Sequence, residues 1–297
     1  MSKLVLIDGN AIMHRAFHAM PPFRTPQGDP IGAVHGFVSM LLKVIVDLKP
    51  THVAIAFDRK EPTFRKKISK DYQAHRPEMD GELVPQFAKA RAVAEVFDIP
   101  VYDKAGYEAD DVIGTIASEA KTDEVVILTG DKDMLQLISG KTKLYMPVKG
   151  LSNAKLFGDE ETVERLGVYP KQIVDFKALV GDPSDNYKGI PGIGPKTAAN
   201  LLKIYGSLEN VYKNLDKVSS KTRELLKKHK PLALQSQELA RIVTGVDINF
   251  DLEKAKNWRI DSSQVFELFQ EFGFKTLTKR AQKIGKEIVS RNQEQLF

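Results

Sequence analysis

"VVILTGDKDML", residues 125–135, decides the fold: an apolar, β-branched run breaks off into two aspartates, Asp131 and Asp133. A strand this continuous in Val, Ile and Leu is buried on both faces, as in a parallel sheet covered by helices. Alone, the two acids are equally well explained by a solvated turn in which Asp133 caps the next helix. Two other runs repeat the pattern, "KLVLID" (3–8) ending in Asp8 and "HVAIAFD" (52–58) ending in Asp58, and "IPVYD" (99–103) is a further short strand. Between them "GAVHGFVSMLLKVIVDLK" (32–49), "PQFAKARAVAEVF" (85–97) and "EADDVIGTIASEA" (108–120) have helical spacing. This alternation predicts an α/β fold, a mostly parallel twisted sheet flanked by helices.

The carboxyl ends of parallel strands share one edge, where ligands bind at the point of strand-order reversal. Asp8, Asp58 and Asp131 therefore face one crevice. "YEADDVIG" adds Glu108 and Asp111, three apart on one face of a helix start, with Asp110 adjacent. Any one of these acids is explained by a helix dipole. Taken together they are not, because two like charges about 4 Å apart repel by roughly 4 kcal/mol at an effective dielectric near 20. Such a cluster must take up protons or bind cations. The chain has no cysteine and places no histidine in the cluster, so the donors are oxygens, which suit Mg²⁺ or Mn²⁺ and two-metal phosphodiester chemistry. His14, His18, His35, His52, His75 and His229 lack metal spacing; His75 alone is a candidate, and the others are assigned to core or surface, as Trp258 is to a core.

From about Tyr169 the strand runs stop and helix patterns broken by Gly and Pro take over. We expect an α/β core over 1–168 with an arch at about 59–82, an all-helical domain over 169–275, and a C-terminal helix and tail over 276–297; 147–161 reads as a loop or small hairpin. In "ALVGDPSDNYKGIPGIGPKTAANLLKIYG" (178–206), Asp182 and Asp185 flank a Pro-Ser turn and could complete the acidic site. "GIPGIGPKTAANLL" has the form of a helix-hairpin-helix, in which glycines let backbone approach a phosphate and Lys196 sits in the first turn of the second helix. The stretch "RKEPTFRKKISKDYQAHRPEM" (59–79) is basic, with Phe64 and Tyr72 interleaved; it is a solvated charged helix or a grip for phosphates and an unpaired base.

Composition permits this reading without requiring it. The 297 residues are 42% hydrophobic and 28% charged, with 44 Lys+Arg against 39 Asp+Glu and a formal charge of +5. Disulfides are excluded. No apolar run approaches a membrane span, the N-terminus lacks a signal-peptide pattern, and no G-x-x-x-x-G-K-[ST] phosphate loop is present. A soluble cytoplasmic protein is expected.

Together "LIDGNAIMHRAFHAMPP", "AFDRKEPTFRKK", "GYEADDVIGT", "TGDKDMLQL" and "GDPSDNYKGIPGIGPKTA" resemble the 5′ nuclease, or flap endonuclease, family over nearly the whole chain, most of all the 5′-3′ exonuclease domain of bacterial DNA polymerase I. The resemblance implies a PIN-like nuclease core, a helical arch that threads a single-stranded 5′ end, and a helix-hairpin-helix domain that holds duplex DNA. It implies hydrolysis that leaves a 5′-phosphate and a 3′-hydroxyl, in primer removal and repair, by a nucleoid-associated monomer of bacterial or phage type. Asp8, Asp58, Glu108, Asp110, Asp111, Asp131, Asp133, Asp182 and Asp185 match the family's ligands for two or more Mg²⁺ or Mn²⁺. Arg15, Phe64, Arg65 and Tyr72, with Gly192, Gly194, Lys196 and Thr197 of the hairpin, would contact DNA with a free 5′ end or flap. In this family the hairpin can also hold K⁺ on backbone carbonyls. Gln73 departs from the pattern, which has a basic residue after the tyrosine, so Arg76 and Lys67 are the expected catalytic cations and a slower enzyme is anticipated. The alternatives are a catalytically weak DNA-binding homologue and a related metal-dependent ribonuclease.

The sequence through "IVSRNQEQLF" supplies no proofreading or polymerase domain, so a stand-alone enzyme and a domain excised from a polymerase both stay open. "QEQLF" (293–297) resembles the Q-x-x-L-F peptide that docks on the bacterial sliding clamp, with Gln293 as polar contact and Leu296 and Phe297 as anchors; a plain helix end is the alternative.

Overall fold

The continuous apolar runs become adjacent strands. The structure, a computed structural model, describes residues 1–150 and 153–294. Strands β1 (Lys3–Asp8), β2 (His52–Ala56), β3 (Val101–Tyr102), β4 (Glu124–Leu128), β5 (Thr142–Lys149) and β6 (Asn153–Phe157) form one sheet in the order β3-β2-β1-β4-β5-β6. All pairs are parallel except β5 with β6, whose antiparallel pairing makes the stretch from 147 a hairpin whose first strand belongs to the main sheet. From β1 the chain builds outward through β2 to β3, then crosses to the other side of β1 with β4. The order reverses between β1 and β4, which opens the crevice at their carboxyl ends.

Helices α1 (Gly9–Ala19), α2 (Gly32–Leu48), α3 (Phe64–Ile68), α4 (Val84–Val96), α5 (Ala109–Glu119) and α6 (Asp159–Leu166) belong to this half. The helix α2 is buried along most of its length and ends at Lys49, whose left-handed φ of 48° and following Pro50 stop the helix. Then come α7 (Ile173–Val180), a two-stranded ribbon of β7 (Gly181–Asp182) and β8 (Tyr187–Lys188), α8 (Pro195–Tyr205), α9 (Leu208–Lys213), α10 (Ser220–Lys228) and α11 (Lys230–Ala240). This ribbon of two-residue strands is inserted between α7 and α8 in a second part that is helical as expected. Its base is a close backbone crossing: a Cβ on Gly181 would lie 2.2 Å from the Gly189 nitrogen, and one on Gly189 would lie 2.3 Å from the Gly181 nitrogen. Only glycine fits there.

Two apolar cores sandwich the sheet. One joins Leu4, Leu6, Val125 and Ile127 to α5 and continues without interruption into Ile173, Leu179, Leu202 and Ala233 of the helical part. The other joins Val5, Ile7 and Val53 to α2 and α4. Helices α12 (Ser263–Glu271) and α13 (Lys275–Glu294) return to this second core through Val265, Phe269, Phe274, Leu277 and Ala281. Residues 169–275 thus divide between two packing units, because the apolar face of α12 matches α4 rather than the hairpin helices. Trp258 lies half-buried against the same core. No helix of the described residues is long and apolar enough to cross a membrane.

Candidate metal centre

The carboxyl edge opens into a crevice of about 660 Å³ whose wall includes Asp8, Asp58, Glu108, Asp110, Asp131, Asp133 and Asp185. Asp8 ends β1 and caps α1, accepting from the Ala11 N–H at 2.9 Å and the Thr129 hydroxyl at 2.7 Å. Asp58 follows β2; Asn10 accepts its backbone N–H, and its carboxylate accepts the Ala109 N–H at 2.7 Å. Thr129 also accepts the Asp131 N–H at 2.9 Å, so one hydroxyl ties the ends of β1 and β4 together. Burial pushes the Asp8 carboxyl up to about 7 against the pull of those two hydrogen bonds, with the charges of Asp58 and Asp131 adding to the rise. Burial also raises Glu108 to about 7, opposed by Arg65. It lifts Asp58 above its ordinary range too, against the Ala109 N–H bond and the charge of Arg76. Asp110 is driven well above the usual carboxylate range, first by burial and then by the charges of Asp131, Asp8, Glu108 and Asp58. The ion pairs at the crevice go to Glu108, Asp111, Asp133, Asp182 and Asp185; among the described residues Asp8, Asp58, Asp110 and Asp131 have none. A carboxylate set crowded enough to hold its own protons, with no internal cation against it, fits a hard divalent ion.

Asp133, Asp182 and Asp185 form a second group, with ligand oxygens within 4.8 Å of one another. This group is not bare. The Lys177 ammonium, on α7, hydrogen-bonds both Asp133 and Asp182. Burial raises Asp133 to about 6 even though Lys177 pulls it down; at Asp182 burial is outweighed by Lys177 and Ser184, and the carboxyl lies below its ordinary range. Tyr187 is buried beside the group, and its hydroxyl has no partner among the described residues.

Asp111 does not belong to the crevice, and its expected place among the metal ligands is corrected. It is fully buried, takes both guanidinium nitrogens of Arg65 at 2.7 and 2.8 Å, and accepts the Val243 and Glu108 N–H groups at 2.8 and 3.1 Å. No lone pair is left to turn toward an ion. Arg65 is corrected with it: only 3% exposed, and further bonded to the Leu239 and Arg241 carbonyls, it is the root of the arch rather than a grip for DNA. Tyr72 is also turned inward, donating toward Glu108 at 3.2 Å and Asp185 at 3.1 Å and stacking on Tyr187, so no ring face is offered to a base. Phe64 is half-buried against Tyr107. Gln73 adopts a left-handed φ of 53° and donates its amide to Asp185 at 3.0 Å, while Arg76 meets the same carboxylate at 2.5 Å. Arg76, Lys66 and Lys70 line the crevice; Lys67, one helical step from Lys66, is exposed and lies outside the wall.

His14, assigned from sequence to core or surface, stands on the crevice wall, its basicity lowered by burial and by the nearby charges of His18 and Arg76. His75 lies instead in a groove shared with Pro191 and Gly192. Arg15 donates to the Gly150 carbonyl at 3.1 Å and packs beside Gly130, at the rim rather than on the wall. In the hairpin, Gly192 takes a positive φ of 88°, Gly194 caps α8 with Pro195 in its first turn, and Gly192, Gly194, Lys196 and Thr197 are all exposed. Leu296 and Phe297 lie outside the described residues, and Gln293 lies in the last turn of α13.

Lys177, Tyr187 and Thr129 were not singled out in the sequence, and His14 was assigned there to core or surface. Only Lys177 carried a signal, as a cation inside the apolar run "IVDFKALV" that leads to Asp182.

Residues 3–167 match the family model described as 5′-3′ exonuclease, N-terminal resolvase-like domain, and residues 168–263 match that described as 5′-3′ exonuclease, C-terminal SAM fold. DNA polymerase I of Bacillus subtilis is 39% identical over 296 residues, which is 99% of this chain and 33% of that protein. DNA polymerase I of Geobacillus stearothermophilus is 40% identical over 278 residues, 93% of this chain and 32% of that one. The chain thus spans about a third of the length of the curated relatives it matches. In fold it is similar to the T5 D15 protein co-crystallised with metal ions (TM-score 0.64, 18% identity, covering 96% of this chain and 99% of that one). It is also similar to flap endonuclease-1 from Methanococcus jannaschii (TM-score 0.61, 18% identity, covering 98% and 93%).

Proposed function

The chain belongs to the 5′-3′ exonuclease family, and from that premise we propose that it is a divalent-metal-dependent 5′ nuclease acting on DNA with a free 5′ end or a 5′ flap. One observation carries this reading: acids from the ends of β1, β2 and β4, the start of α5 and the ribbon after α7 converge on one crevice, and four of them have no cation of the protein's own among the described residues. Asp133, Asp182 and Asp185, whose ligand oxygens lie within 4.8 Å of one another, would hold one ion; Asp8, Asp58, Glu108, Asp110 and Asp131, no three of which come that close among the described residues, would draw together around another. Purely carboxylate oxygen donors favour Mg²⁺ or Mn²⁺. Ions bound there supply a more acidic water and neutralise charge on the attacked phosphate.

The chain's own side chains do the rest. Arg76, Lys66 and Lys70 face the crevice from the arch and would orient the phosphate; Arg76 leaves Asp185 to do so. Gln73 offers an amide where a charge would otherwise stand, so turnover relies on Arg76. The exposed start of α8, with Gly192, Gly194, Lys196 and Thr197, would hold backbone phosphates of the duplex, with K⁺ on hairpin carbonyls assisting. The curated relatives are named DNA polymerase I, which supports action beside a DNA polymerase; a cytoplasmic setting, and docking of the QEQLF peptide (293–297) on a sliding clamp, belong to the same proposal.

The test is cleavage of a labelled 5′-flap DNA by the full chain. Mg²⁺ or Mn²⁺ should give products with 5′-phosphate and 3′-hydroxyl ends, Ca²⁺ should give binding without cleavage, and Asp110→Asn should abolish cutting while leaving DNA affinity in place. A folded preparation that leaves the flap intact under saturating Mn²⁺, or that cuts the RNA equivalent in preference, overturns the reading.

A further inference from the structure

The two acidic groups of the crevice differ in one respect. Asp8, Asp58, Asp110 and Asp131 make no ion pair among the described residues, whereas Asp133 and Asp182 share the Lys177 ammonium. Lys177 comes from the middle of α7, an otherwise largely apolar helix, and its side chain is 14% exposed. Its backbone is fixed by the packing of Phe176, Ala178 and Leu179 in the core, so the ammonium is aimed at the two carboxylates by the fold and not by a wandering surface chain. Arg76 also meets this group, at Asp185, but from the half-exposed arch, which a substrate strand would engage.

We propose that Lys177 is a built-in competitor for the second cation site, so that the site built from Asp133, Asp182 and Asp185 fills only after the first, when a divalent ion displaces the ammonium. The inference rests on reading both groups as cation sites. An ammonium and a hard divalent ion seek the same carboxylate oxygens, and both cannot occupy the space between Asp133 and Asp182. The side chain has somewhere to go. A separate cavity of about 420 Å³, lined by Lys177 itself with Gly130, Asp131, Lys132, Leu166 and Ser184, adjoins Asp133 and Asp182 and would accept the withdrawn stem while its head keeps one carboxylate or water. Without metal, the lysine keeps the second site from becoming a pocket of unpaired charge; with metal, it sets a higher concentration threshold for that site than for the first.

The experiment is titration of Mn²⁺ into the metal-free full chain without DNA, by calorimetry and by loss of the free-ion paramagnetic resonance signal. Wild type should bind in a tight and a weak class, the weak class being the one lost in Asp185→Asn. Lys177→Met should tighten the weak class at least tenfold and leave the tight class within about twofold. Lys177→Arg, which keeps the charge, should leave both near wild type. A second Mn²⁺ class that appears only in Lys177→Met supports the inference equally. A weak class that is unchanged or weaker in folded Lys177→Met overturns it while leaving the two-site reading intact; Lys177→Gln serves if the methionine variant does not fold. If no protein in the series binds Mn²⁺, the cation reading itself falls, and this inference with it.

Discussion

At the scale of single residues, each acid of the crevice stands where a strand or helix begins or ends, and Asp8, Asp58, Asp110 and Asp131 meet there without an ion pair among the described residues. What sequence could not reveal was which acid is spoken for. Asp110 and Asp111 are neighbours, yet a helical step of about 100° sends one into the crevice and the other into a buried bidentate pair with Arg65. That outcome depends on a guanidinium 46 positions away, and no local pattern encodes it. His14, assigned from sequence to core or surface, lines the crevice because of where α1 is placed in the fold, which its own spacing does not state. The unpaired acids make a prediction about pH. Asp8 is raised from an unfolded value near 3.8 to about 7, so the folded protein binds more protons than the unfolded chain in that window. The contribution of Asp8 to stability without metal is therefore fully present below about pH 4, is lost as pH rises through about 7, and is absent above it. Asp8→Asn removes this loss; its amide oxygen still accepts from Ala11, and the Thr129 hydroxyl can rotate to receive the new N–H. In EDTA the variant should melt with wild type near pH 4 and be more stable by a few kcal/mol, roughly 1.4 per pKa unit, near pH 8. Mn²⁺ should raise the wild-type melting temperature at pH 8 more than that of the variant. Equal melting temperatures at pH 8 in EDTA would remove the electrostatic account of the cluster.

At the scale of elements, the long buried strands and α2 followed from period and composition, whereas the arch did not, because its basic stretch was equally compatible with a solvated helix. The structure resolves that ambiguity by burying the arch at one point. Arg65, on α3, reaches the start of α5 through Asp111 and the end of α11 through the Leu239 and Arg241 carbonyls, so one side chain anchors the arch to both halves of the molecule. Breaking a buried, hydrogen-bonded pair from one side leaves a stranded charge and costs about 3–5 kcal/mol. Arg65→Met should therefore lower the free energy of denaturant unfolding by about that much, and Arg65→Lys should recover only part of it, since an ammonium cannot make the two parallel bonds. If Arg65 served DNA instead, the methionine variant would unfold like wild type and lose affinity for flap substrate. The β7–β8 ribbon was missed on other grounds. Two-residue strands carry no period, and the crossing of Gly181 with Gly189 looks in sequence like any Gly-rich loop.

At the scale of the whole molecule, reading the switch from strands to helices as a boundary near 168 captured where the composition changes but not where the packing divides. The core beneath one face of the sheet runs unbroken into the hairpin helices, while the other face is closed by α12 and α13 from the far end of the chain. Such long-range closure is set by which apolar faces are left over once the sheet has formed, and local sequence does not state it. It bears on what an independently folding unit must contain. The matched family regions end at residue 263, yet Val265, Phe269 and Ala281 beyond that point are fully buried, and Phe269 packs its ring against Phe97 at 5.9 Å. Each large apolar side chain buried this way contributes about 1.5–3 kcal/mol, and small folded proteins retain only about 5–15 kcal/mol in all. A chain ending at residue 263 should accordingly be insoluble or melt without a cooperative transition, though it keeps every crevice acid. One ending at residue 290 retains the buried face of α13 and should melt within about 3 °C of the full chain, the effect of less than 1 kcal/mol in a protein of this size. Circular dichroism melts of the two truncations decide the point: a cooperative, wild-type-like transition for the 263-residue chain would mean that α12 and α13 only lie on the nuclease core and do not complete it.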